Sequence, residues 1–320
     1  MKNLRNAFSA SLFLLFITFS FSQCTDPETP EPDNKGKVGF EMTDAPIDDA
    51  NVQSAFVTVA SIKVDGETYS GFSGKQTIDL LAYQNGNTKA LGLGELEVGT
   101  YSNISLVLDY KTDADGNSPG CYILTTDNTK HDLSNSANST QEIFVEGAVT
   151  VTKDATSTMV MDFDVRKAVH YDDQGAFSFV TSSEMSSAVR MEDKPKTGTI
   201  SGKISGNTSN NNKLVVYAYK KGTYSKNTET QGQGQSNIEF KNAVTSALVD
   251  AEGNYQLSFL KEGEYEVHTI AYEDTNNDGK IEATASAELL STLSLNILGI
   301  TVESNTTINL DLTITGFLSF

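Results

Sequence analysis

Short runs of β-branched and aromatic residues, punctuated by Gly, Asn and Asp, dominate the chain from Lys37 onward. Many runs alternate between two faces, as in Ile104, Leu106, Leu108 and Tyr110 against Ser105, Val107 and Asp109. Such a period of two is typical of strands, and the nearest candidate for a long amphipathic helix, Ser286 to Leu298, has only a weak helical period. The pattern predicts an all-β fold with two antiparallel β-sandwich domains in tandem.

A charged segment broken by proline, Glu192 to Gly198, divides the strand-rich sequence into two blocks. Strand signals resume on both sides of it, which is typical of a domain boundary. The polar stretch Gly222 to Asn237 contains alternating Gln and Gly, and it predicts a long mobile loop within the second block. The predicted organisation is a signal peptide at 1–23, a tether at 24–36, a β-sandwich at 37–191, a linker at 192–197 and a second β-sandwich at 198–320.

The charge balance excludes one class of partner. The 320 residues include 42 acidic and 23 basic side chains, which give a formal net charge of -19. Nucleic acid needs clustered Lys and Arg to neutralise its phosphates, and anionic lipid attracts basic segments. We therefore expect no nucleic-acid partner and no unassisted binding to an anionic membrane surface.

The N-terminus has the features of a secretory signal. Lys2 and Arg5 precede an almost wholly apolar stretch from Ala7 to Phe21, and Cys24 follows it after Ser22 and Gln23. The segment after Cys24 is acidic and rich in proline. This order resembles the maturation site of bacterial lipoproteins, in particular those of Bacteroidota. The resemblance implies a lipid on Cys24, anchorage to the outer membrane and exposure on the cell surface; the alternative is an ordinary cleaved signal beside an incidental cysteine.

The first block carries a set of recognisable segments in a fixed order. It opens with Val38 to Ile47, which includes Thr43-Asp44-Ala45-Pro46, and continues through Val57 to Ile62, Gly99 to Ile104 and Met161 to Asp164. This order is similar to a widespread bacterial lipoprotein domain, known only as a domain of unknown function, which begins with a strand ending in T-D-A-P. The resemblance covers about residues 36 to 191 and implies no activity.

The second block resembles another family. Its segments Gly198 to Ile204, Leu214 to Tyr219, Val249 to Leu257 and Leu260 to Val267 look like the transthyretin-like sandwich of carboxypeptidase regulatory-like domains, a relative of starch-binding modules. The resemblance covers about residues 197 to 320 and implies an ancillary role in surface or glycan-handling proteins, without catalysis. Tyr217 and Tyr219 alternate with apolar residues and share one face. They are candidates for stacking on a glycan, although a buried role is the alternative.

One loop has the spacing of calcium ligands. Oxygen-bearing residues at its positions one, three and five precede a glycine at position six, as in the first half of a calcium loop. The candidate ligands are Asp274, Asn276, Asp278, the Lys280 carbonyl and Glu282. Position twelve is Ala285 instead of a bidentate Glu, so a polar hairpin turn is the alternative. Asp113 to Asn117 is a shorter relative, for which we expect a tight turn.

Other polar residues are candidates for catalytic or binding groups. Asp162 and Asp164 lie two apart on a predicted strand and share a face, where Arg166 is able to neutralise them, so a solvated sheet face is favoured over a catalytic pair. Asp44 reads as a turn cap, with a cation or a partner's amide as the alternative. The spacing of His131, His170 and His268 fits no zinc motif, and Cys121 in its apolar run reads as an inert buried thiol.

We therefore expect a non-catalytic, surface-exposed envelope lipoprotein that acts as a binding module. A glycan is the first candidate ligand, with calcium stiffening the Asp274 loop. The alternative is a structural or adhesin-like subunit that binds another envelope protein, for which an exposed edge strand is suited.

Overall fold

The computed structural model describes residues 34–45, 51–134, 138–171, 176–206, 213–275, 281–291 and 296–320. The predicted signal peptide, Cys24 and most of the predicted tether lie outside these residues. Within them the fold is all-β, as predicted, with three short α-helices and two 3₁₀ turns. No helix in these ranges has the length and apolar character that a membrane crossing requires.

We call the described residues from 34 to 193 the N-terminal part. Its strands are β1 (Lys35–Thr43), β2 (Val52–Val64), β3 (Glu67–Thr68), β4 (Gln76–Asp79), β5 (Lys89–Glu97), β6 (Gly99–Tyr101), β7 (Ile104–Asp109), β8 (Tyr122–Thr125), β9 (Lys130–Asp132), β10 (Thr140–Phe144), β11 (Val149–Val151), β12 (Thr156–Phe163), β13 (Val169–Tyr171), β14 (Phe177–Phe179) and β15 (Val189–Asp193). Its helices are α1 (Val165–Ala168) and α2 (Ser182–Ala188), and Leu80–Ala82 forms a 3₁₀ turn.

The N-terminal part is a sandwich of two main sheets. Strands β15-β12-β1-β5 form one sheet, and β10-β7-β2-β8-β9, with β3 and β4 beside β2, form the other. Alternate residues of both sheets, such as Val57 and Val59 on β2 and Met159 and Met161 on β12, point into one shared apolar core. The first sheet is not purely antiparallel, because β1 and β12 run parallel.

The residues from 197 to 320 form the C-terminal part. Its strands are β16 (Thr197–Gly206), β17 (Lys213–Lys220), β18 (Thr245–Leu248), β19 (Asn254–Lys261), β20 (Gly263–Glu273), β21 (Glu282–Ser291), β22 (Ile300–Val302), β23 (Thr307–Asn309) and β24 (Leu312–Ser319), and its helix is α3 (Lys226–Glu229). These nine strands form one sheet, in the order β18-β17-β20-β21-β24-β16-β19, with β22 beside β20 and β23 beside β16. Strand β16 runs parallel to both β23 and β24.

The sheet of the C-terminal part buries apolar residues on both faces. On β17, Leu214, Val216 and Ala218 belong to the main core. The intervening residues Tyr217 and Tyr219 belong to a second cluster on the other face. Two buried faces on one strand mean that another segment of the chain covers the sheet from outside.

The strand bounds shift the predicted domain limits by a few residues. Lys35 and Gly36, assigned to the tether from the sequence, are the first residues of β1. Strand β15 extends to Asp193 and β16 begins at Thr197, so the predicted linker is reduced to the 3₁₀ turn Lys194–Lys196. Residues Asn34 to Phe320 form one compact unit. Ile238 of the C-terminal part is even a member of the N-terminal part's core.

Candidate functional site

The Thr43-Asp44 segment anchors the end of β1 to two distant segments. The Thr43 hydroxyl donates to the Tyr83 and Asn87 carbonyls at 2.8 and 2.9 Å. Asp44 is 6% exposed, and its carboxylate accepts from the Val165 main-chain N–H at 3.0 Å and from Gln84 Nε2 at 3.1 Å. These partners lie 40 and 121 residues away in the same chain. The residues that follow Ala45 in the predicted turn lie outside the described residues, so the turn cap stays a prediction.

Asp162 and Asp164 form two buried ion pairs and do not lie on a solvated face. Each is 4% exposed, so the solvated-face prediction is wrong. Asp162 accepts from Arg190 Nη2 at 2.6 Å, and Asp164 accepts from Arg166 Nη2 at 2.9 Å. Strand β12 ends at Phe163, and Asp164 instead caps helix α1. Neutralisation by Arg166 is confirmed for Asp164, and its cause is burial, since an unpaired buried carboxylate is strongly disfavoured.

Three cations of the N-terminal part reach main-chain carbonyls of the C-terminal part. Arg166 Nη1 donates to the Glu239 and Phe240 carbonyls at 2.9 and 3.0 Å. Lys167 Nζ donates to the Ala243 carbonyl at 2.5 Å, and Arg190 Nη1 donates to the Phe259 carbonyl at 2.8 Å. We call this set of three bridging cations, with Asp162 and Asp164, the junction cluster.

Burial dominates the electrostatics of the junction cluster. It raises the pKa of Asp162 and lowers the pKa of Lys167, in each case against the attraction of the neighbouring opposite charge. Burial also raises the pKa of Asp44 well above its ordinary value, and the Asp164 and Asp162 carboxylates add to the rise. Burial opposes the charge of Arg166 as well, but the Asp164 carboxylate together with three neighbouring tyrosines outweighs burial and raises the pKa of Arg166. Ion pairs and hydrogen bonds in a poorly solvated environment therefore hold the junction cluster together.

The polar insertion at Gly222 to Asn237 is ordered, so the prediction of a mobile loop is wrong. It contains α3, and Glu229 at its end is 1% exposed. The Glu229 carboxylate accepts from the Tyr219 hydroxyl at 3.0 Å and from the Asn242 main-chain and side-chain nitrogens at 3.1 and 2.5 Å. The insertion has few apolar side chains that could hold it by packing. These hydrogen bonds pair its polar groups and hold it in place instead.

A second carboxylate fixes the insertion to the N-terminal part. Glu184 of α2 is 7% exposed, and its Oε1 accepts from the Gln235 and Ser236 main-chain N–H groups at 2.8 and 3.2 Å. Its Oε2 accepts from the Ser236 hydroxyl at 2.7 Å. The next residues, Ile238 and Phe240, are 5% and 0% exposed. The insertion is therefore a bridge between the two parts.

Tyr217 and Tyr219 do not form a ligand-stacking surface. Both are 0% exposed, and Phe240, just after the insertion, stacks on Tyr217 with ring centroids 4.8 Å apart. The Tyr217 and Tyr272 hydroxyls are 2.5 Å apart, and the Tyr219 hydroxyl bonds Glu229. The prediction of a glycan-stacking pair is wrong, and the buried alternative is correct. Alternation located their common face but gave no sign of the segment that covers it.

The predicted calcium loop is only partly described. Asn276, Asp278 and Lys280 lie outside the described residues, while Asp274 and Glu282 lie within them. The Glu282 carboxylate accepts from the Thr275 N–H and hydroxyl at 3.0 and 2.8 Å. At the shorter candidate, Asp113 accepts from the Asp115 and Asn117 N–H groups at 3.0 and 2.7 Å, which confirms the tight turn.

Cys121 and the histidines have structural surroundings. Cys121 is 0% exposed, which confirms the predicted burial, and burial raises its pKa to about 12, which disfavours the reactive thiolate. His131 meets the Phe177 ring edge-on, and His268 stacks on Tyr224 with ring centroids 3.8 Å apart. In the part of the chain that the structure describes, no three His, Cys, Asp or Glu side chains are grouped as metal ligands.

Sequence reasoning missed four residues that build this site: Lys167, Glu184, Arg190 and Glu229. One signal was available, because Thr181-Ser182-Ser183-Glu184 fits the capping-box pattern, and the structure shows that box at the start of α2. It predicts a helix there but not the buried role of Glu184. The partners of Lys167 and Arg190 are main-chain carbonyls, which no sequence pattern marks.

Comparison with known protein families finds one match, within the N-terminal part. Residues 35–180 match the family described as Domain of unknown function (DUF4382). This confirms the prediction that the first block contains a domain of unknown function. No curated protein matches the chain.

Several solved surface proteins show low similarity to the chain. BcpA, the major pilin subunit of Bacillus cereus, is 9% identical with a TM-score of 0.23, over 88% of this chain and 70% of that one. GBS52, the minor pilin of Streptococcus agalactiae, is 12% identical with a TM-score of 0.19, over 87% and 96%. The Bacillus anthracis TIE protein is 11% identical with a TM-score of 0.19, over 88% of this chain and 34% of that protein, so the chain spans about a third of its length. No functional conclusion follows from scores this low.

Proposed function

We propose that the protein is a non-catalytic structural subunit of the bacterial cell envelope, in which the two β-rich parts act as one rigid body that binds another envelope protein. The observation that carries the proposal is the junction cluster, whose three cations, two of them buried and Arg190 partly buried, each bond main-chain carbonyls of the other part. The outer-membrane surface, reached through a lipid on Cys24, is part of the same proposal.

Rigidity follows from what separation of the two parts would expose. Parts of one chain that are joined by a short linker move relative to one another unless their interface is large or strongly bonded. Removing one partner from a buried ion pair costs about 3 to 5 kcal/mol, since the remaining charge is left without compensation. Opening this interface would also expose Ile238 and the Glu184 hydrogen bonds. Such an interface suits a protein that acts as a rigid spacer between its anchored end and the surface that it displays.

The carboxylates that resemble a catalytic pair are committed to this structural task. Asp162 is bonded to Arg190, and Asp164 is bonded to Arg166 and capped on α1. A glycosidase pair instead flanks an open cleft, where one carboxylic acid is free to donate its proton. The arrangement supports binding over hydrolysis as the function.

Recovery of the partner tests the proposal. The full chain, tagged at its C-terminus and expressed in its own cells, is crosslinked and purified, with Cys24→Ser as the matched control that removes the proposed lipid site. We expect one envelope protein to be recovered in a stoichiometric amount with the native chain and to be lost with the variant. Recovery of the native chain alone from crosslinked cells would overturn the proposal.

A glycan remains the second candidate because of a polar groove separate from the tyrosines. The groove has a volume of about 420 Å³ and is lined mostly by amide, hydroxyl and carboxylate side chains, among them Asn85, Asp250, Asn254, Gln256, Asn309 and Asp311. Such groups are suited to bonding sugar hydroxyls, and the transthyretin-like resemblance points to the same ligand class. A glycan array tests it, with Asn309→Ala expected to remove binding and Tyr217→Phe expected to keep it. An array without reproducible binding eliminates this candidate.

A further inference from the structure

We propose that a cleft beside the edge of β15 is where the partner envelope protein binds, by adding a short extended segment with a central Lys or Arg to that edge. This assignment rests on the proposed function, because it locates the contact surface of the same partner. The cleft has a volume of about 460 Å³, within the range of about 300 to 1,000 Å³ that ligand pockets have. Its lining comes mainly from β15 and the segment around Glu146 in the N-terminal part, with Val244 and Lys261 from the C-terminal part.

The register of β15 fixes which of its main-chain groups point into the cleft. The Asp164 N–H donates to the Ala188 carbonyl at 2.9 Å, and the same register continues along β12 and β15. Because hydrogen-bonded pairs alternate with non-bonded pairs in an antiparallel ladder, Met191 and Asp193 direct their main-chain groups away from β12. These groups therefore face the other edge of β15.

One rung of a parallel ladder already occupies that other edge. The Glu146 N–H donates to the Val189 carbonyl at 3.3 Å, and the Glu146 carbonyl accepts from the Met191 N–H at 2.7 Å. At Gly147, φ is 140°, and the chain then leaves β15 for β11, which pairs with β6. A Cβ at Gly147 would lie 2.5 Å from the Met191 carbonyl oxygen, so a side chain there would cover this acceptor.

The next rung of the ladder is open. The Met191 carbonyl and the Asp193 N–H have no hydrogen-bond partner in the ranges that the structure describes. A carbonyl and an N–H two residues apart on one edge are the acceptor and the donor that an added strand bonds. The edge of β15 is therefore able to take one further extended segment, and the cleft gives that segment room.

The side chains of the cleft select a basic segment. Glu146, Glu192 and Lys261 form no side-chain hydrogen bond or ion pair within the described residues, which leaves two carboxylates against one ammonium group. The other cations of the lining already have acidic partners, in the pairs Lys167 with Asp164, Arg190 with Asp162 and Lys196 with Asp193.

A basic side chain also relieves the repulsion between the two carboxylates. Burial raises the pKa of Glu192 against the attraction of neighbouring basic side chains, and the Glu146 carboxylate adds to the rise. A Lys or Arg placed between the two carboxylates offsets both effects. The formal net charge of -19 attracts a cationic segment from a distance.

Two matched pairs of variants separate the main-chain contact from the charge. Asp193→Pro removes the donor N–H; the native φ of Asp193 is -73°, which proline adopts, and the preceding residue lies in a strand, as proline requires. Asp193→Ala is its control, because it removes the same side chain and keeps the N–H. Glu192→Gln removes one cleft carboxylate, and its control is Glu95→Gln, at an exposed position on β5, the far edge strand of the same sheet.

Calorimetry with the purified full chain measures binding of the synthetic peptide acetyl-Val-Thr-Lys-Thr-Val-amide, whose β-branched residues favour an extended backbone. We expect the native chain and both controls to bind it with equal affinity. Asp193→Pro is expected to weaken binding by at least about tenfold, and Glu192→Gln by at least about fivefold. The same peptide with Glu in place of Lys is expected to bind at least about tenfold more weakly. Lys261→Gln is expected to bind the Lys peptide more tightly, since it removes a like charge.

The outcomes distinguish this site from the proposed function as a whole. No binding of the Lys peptide to the native chain, or equal binding to Asp193→Pro, would overturn the site. Equal binding of the Lys and Glu peptides would overturn the choice of a basic segment. In crosslinked cells, recovery of the partner by the native chain and by Asp193→Pro alike would keep the proposed function and overturn this site. Peptide binding without a recovered partner would keep the site and overturn the proposed function. A dimer of the native chain that Asp193→Pro dissociates would make a second copy the occupant and would overturn an envelope partner here.

Discussion

Replacing Glu184 by Gln tests the bridge between the two parts at one carboxylate. The substitution keeps the size of the side chain and removes its charge. Oε1 accepts from the Gln235 and Ser236 N–H groups at 2.8 and 3.2 Å, and Oε2 accepts from the Ser236 and Thr181 hydroxyls, both at 2.7 Å. A glutamine oxygen is able to replace Oε1, whereas its NH₂ group stands where Oε2 accepted these two bonds and a third, from the Thr181 main-chain N–H at 3.3 Å.

The expected loss follows from the pKa of Glu184. Burial opposes its charge, but the hydrogen bonds from Ser236, Thr181 and Gln235 outweigh burial and lower the pKa from the ordinary value of 4.5 to about 2. That depression corresponds to about 3 kcal/mol of stability as an upper bound. Since both hydroxyls can turn and accept from the new NH₂ group, we expect Glu184→Gln to lower the free energy of unfolding by about 2 kcal/mol at pH 7.

The pH dependence gives the sharper check. A carboxylate with a depressed pKa in the folded state stabilises the protein fully above its unfolded pKa, and this contribution is lost as the pH falls through the folded pKa. The difference between the native chain and Glu184→Gln is therefore greatest above about pH 5 and narrows steadily toward pH 2. Other acidic groups titrate in both chains and cancel in the difference.

Urea unfolding followed by far-ultraviolet circular dichroism at pH 7, 5, 4 and 3 measures this difference. The matched control is Glu264→Gln, which removes a surface ion pair with Lys221 whose side chains are 54% and 46% exposed. We expect the control to change the free energy of unfolding by less than about 0.5 kcal/mol at pH 7. A Glu184→Gln variant as stable as the native chain at pH 7, or a difference that does not shrink at low pH, would refute the reasoning.

Three further changes test other parts of the account. Arg166→Met is expected to lower the free energy of unfolding by about 3 kcal/mol because it leaves Asp164 with a weaker partner; a loss below about 1 kcal/mol in urea unfolding would contradict the buried pairing. Ile238→Ala is expected to cost about 2 to 4 kcal/mol and to speed amide exchange at residues 229–240, and unchanged exchange would show that the insertion is not anchored there. Cys121 is expected to resist a thiol reagent at pH 8 until the chain unfolds, since burial raises its pKa to about 12; rapid labelling of the folded chain would argue against that burial.

The strand pattern was predictable because burial on one face imposes it directly on the sequence. The alternation at Ile104 to Tyr110 corresponds to β7, which spans Ile104–Asp109, and the strand predicted to carry Asp162 and Asp164 corresponds to β12. The predicted strand extends too far, to Arg166, because a sequence pattern cannot show that Asp164 leaves the strand and caps α1. Strand existence was therefore readable from the sequence, while the end of this strand required the local hydrogen bonds.

The candidate site was not predictable, since its bonds join residues that are far apart in sequence. Arg166 lies 73 and 74 residues from the carbonyls that it bonds, and nothing about Glu239 or Phe240 marks their main-chain atoms as acceptors. The polar composition of the insertion favoured a mobile loop because its order depends on bonds to groups outside it. The distant carboxylate of Glu184 accepts from the insertion, and Glu229 within the insertion bonds Tyr219 and Asn242. The same segment buries Tyr217, which explains why a correct assignment of its face led to a wrong assignment of its role.

The central claim is that the two parts form one cooperative body, and differential scanning calorimetry of the native chain tests it most directly. One transition is predicted, with a calorimetric enthalpy equal to the van't Hoff enthalpy. Glu184→Gln and Arg166→Met are predicted to lower the midpoint of that single transition without splitting it. Two resolved transitions in the native chain, or a calorimetric enthalpy well above the van't Hoff value, would contradict the claim that the junction makes the two parts one body.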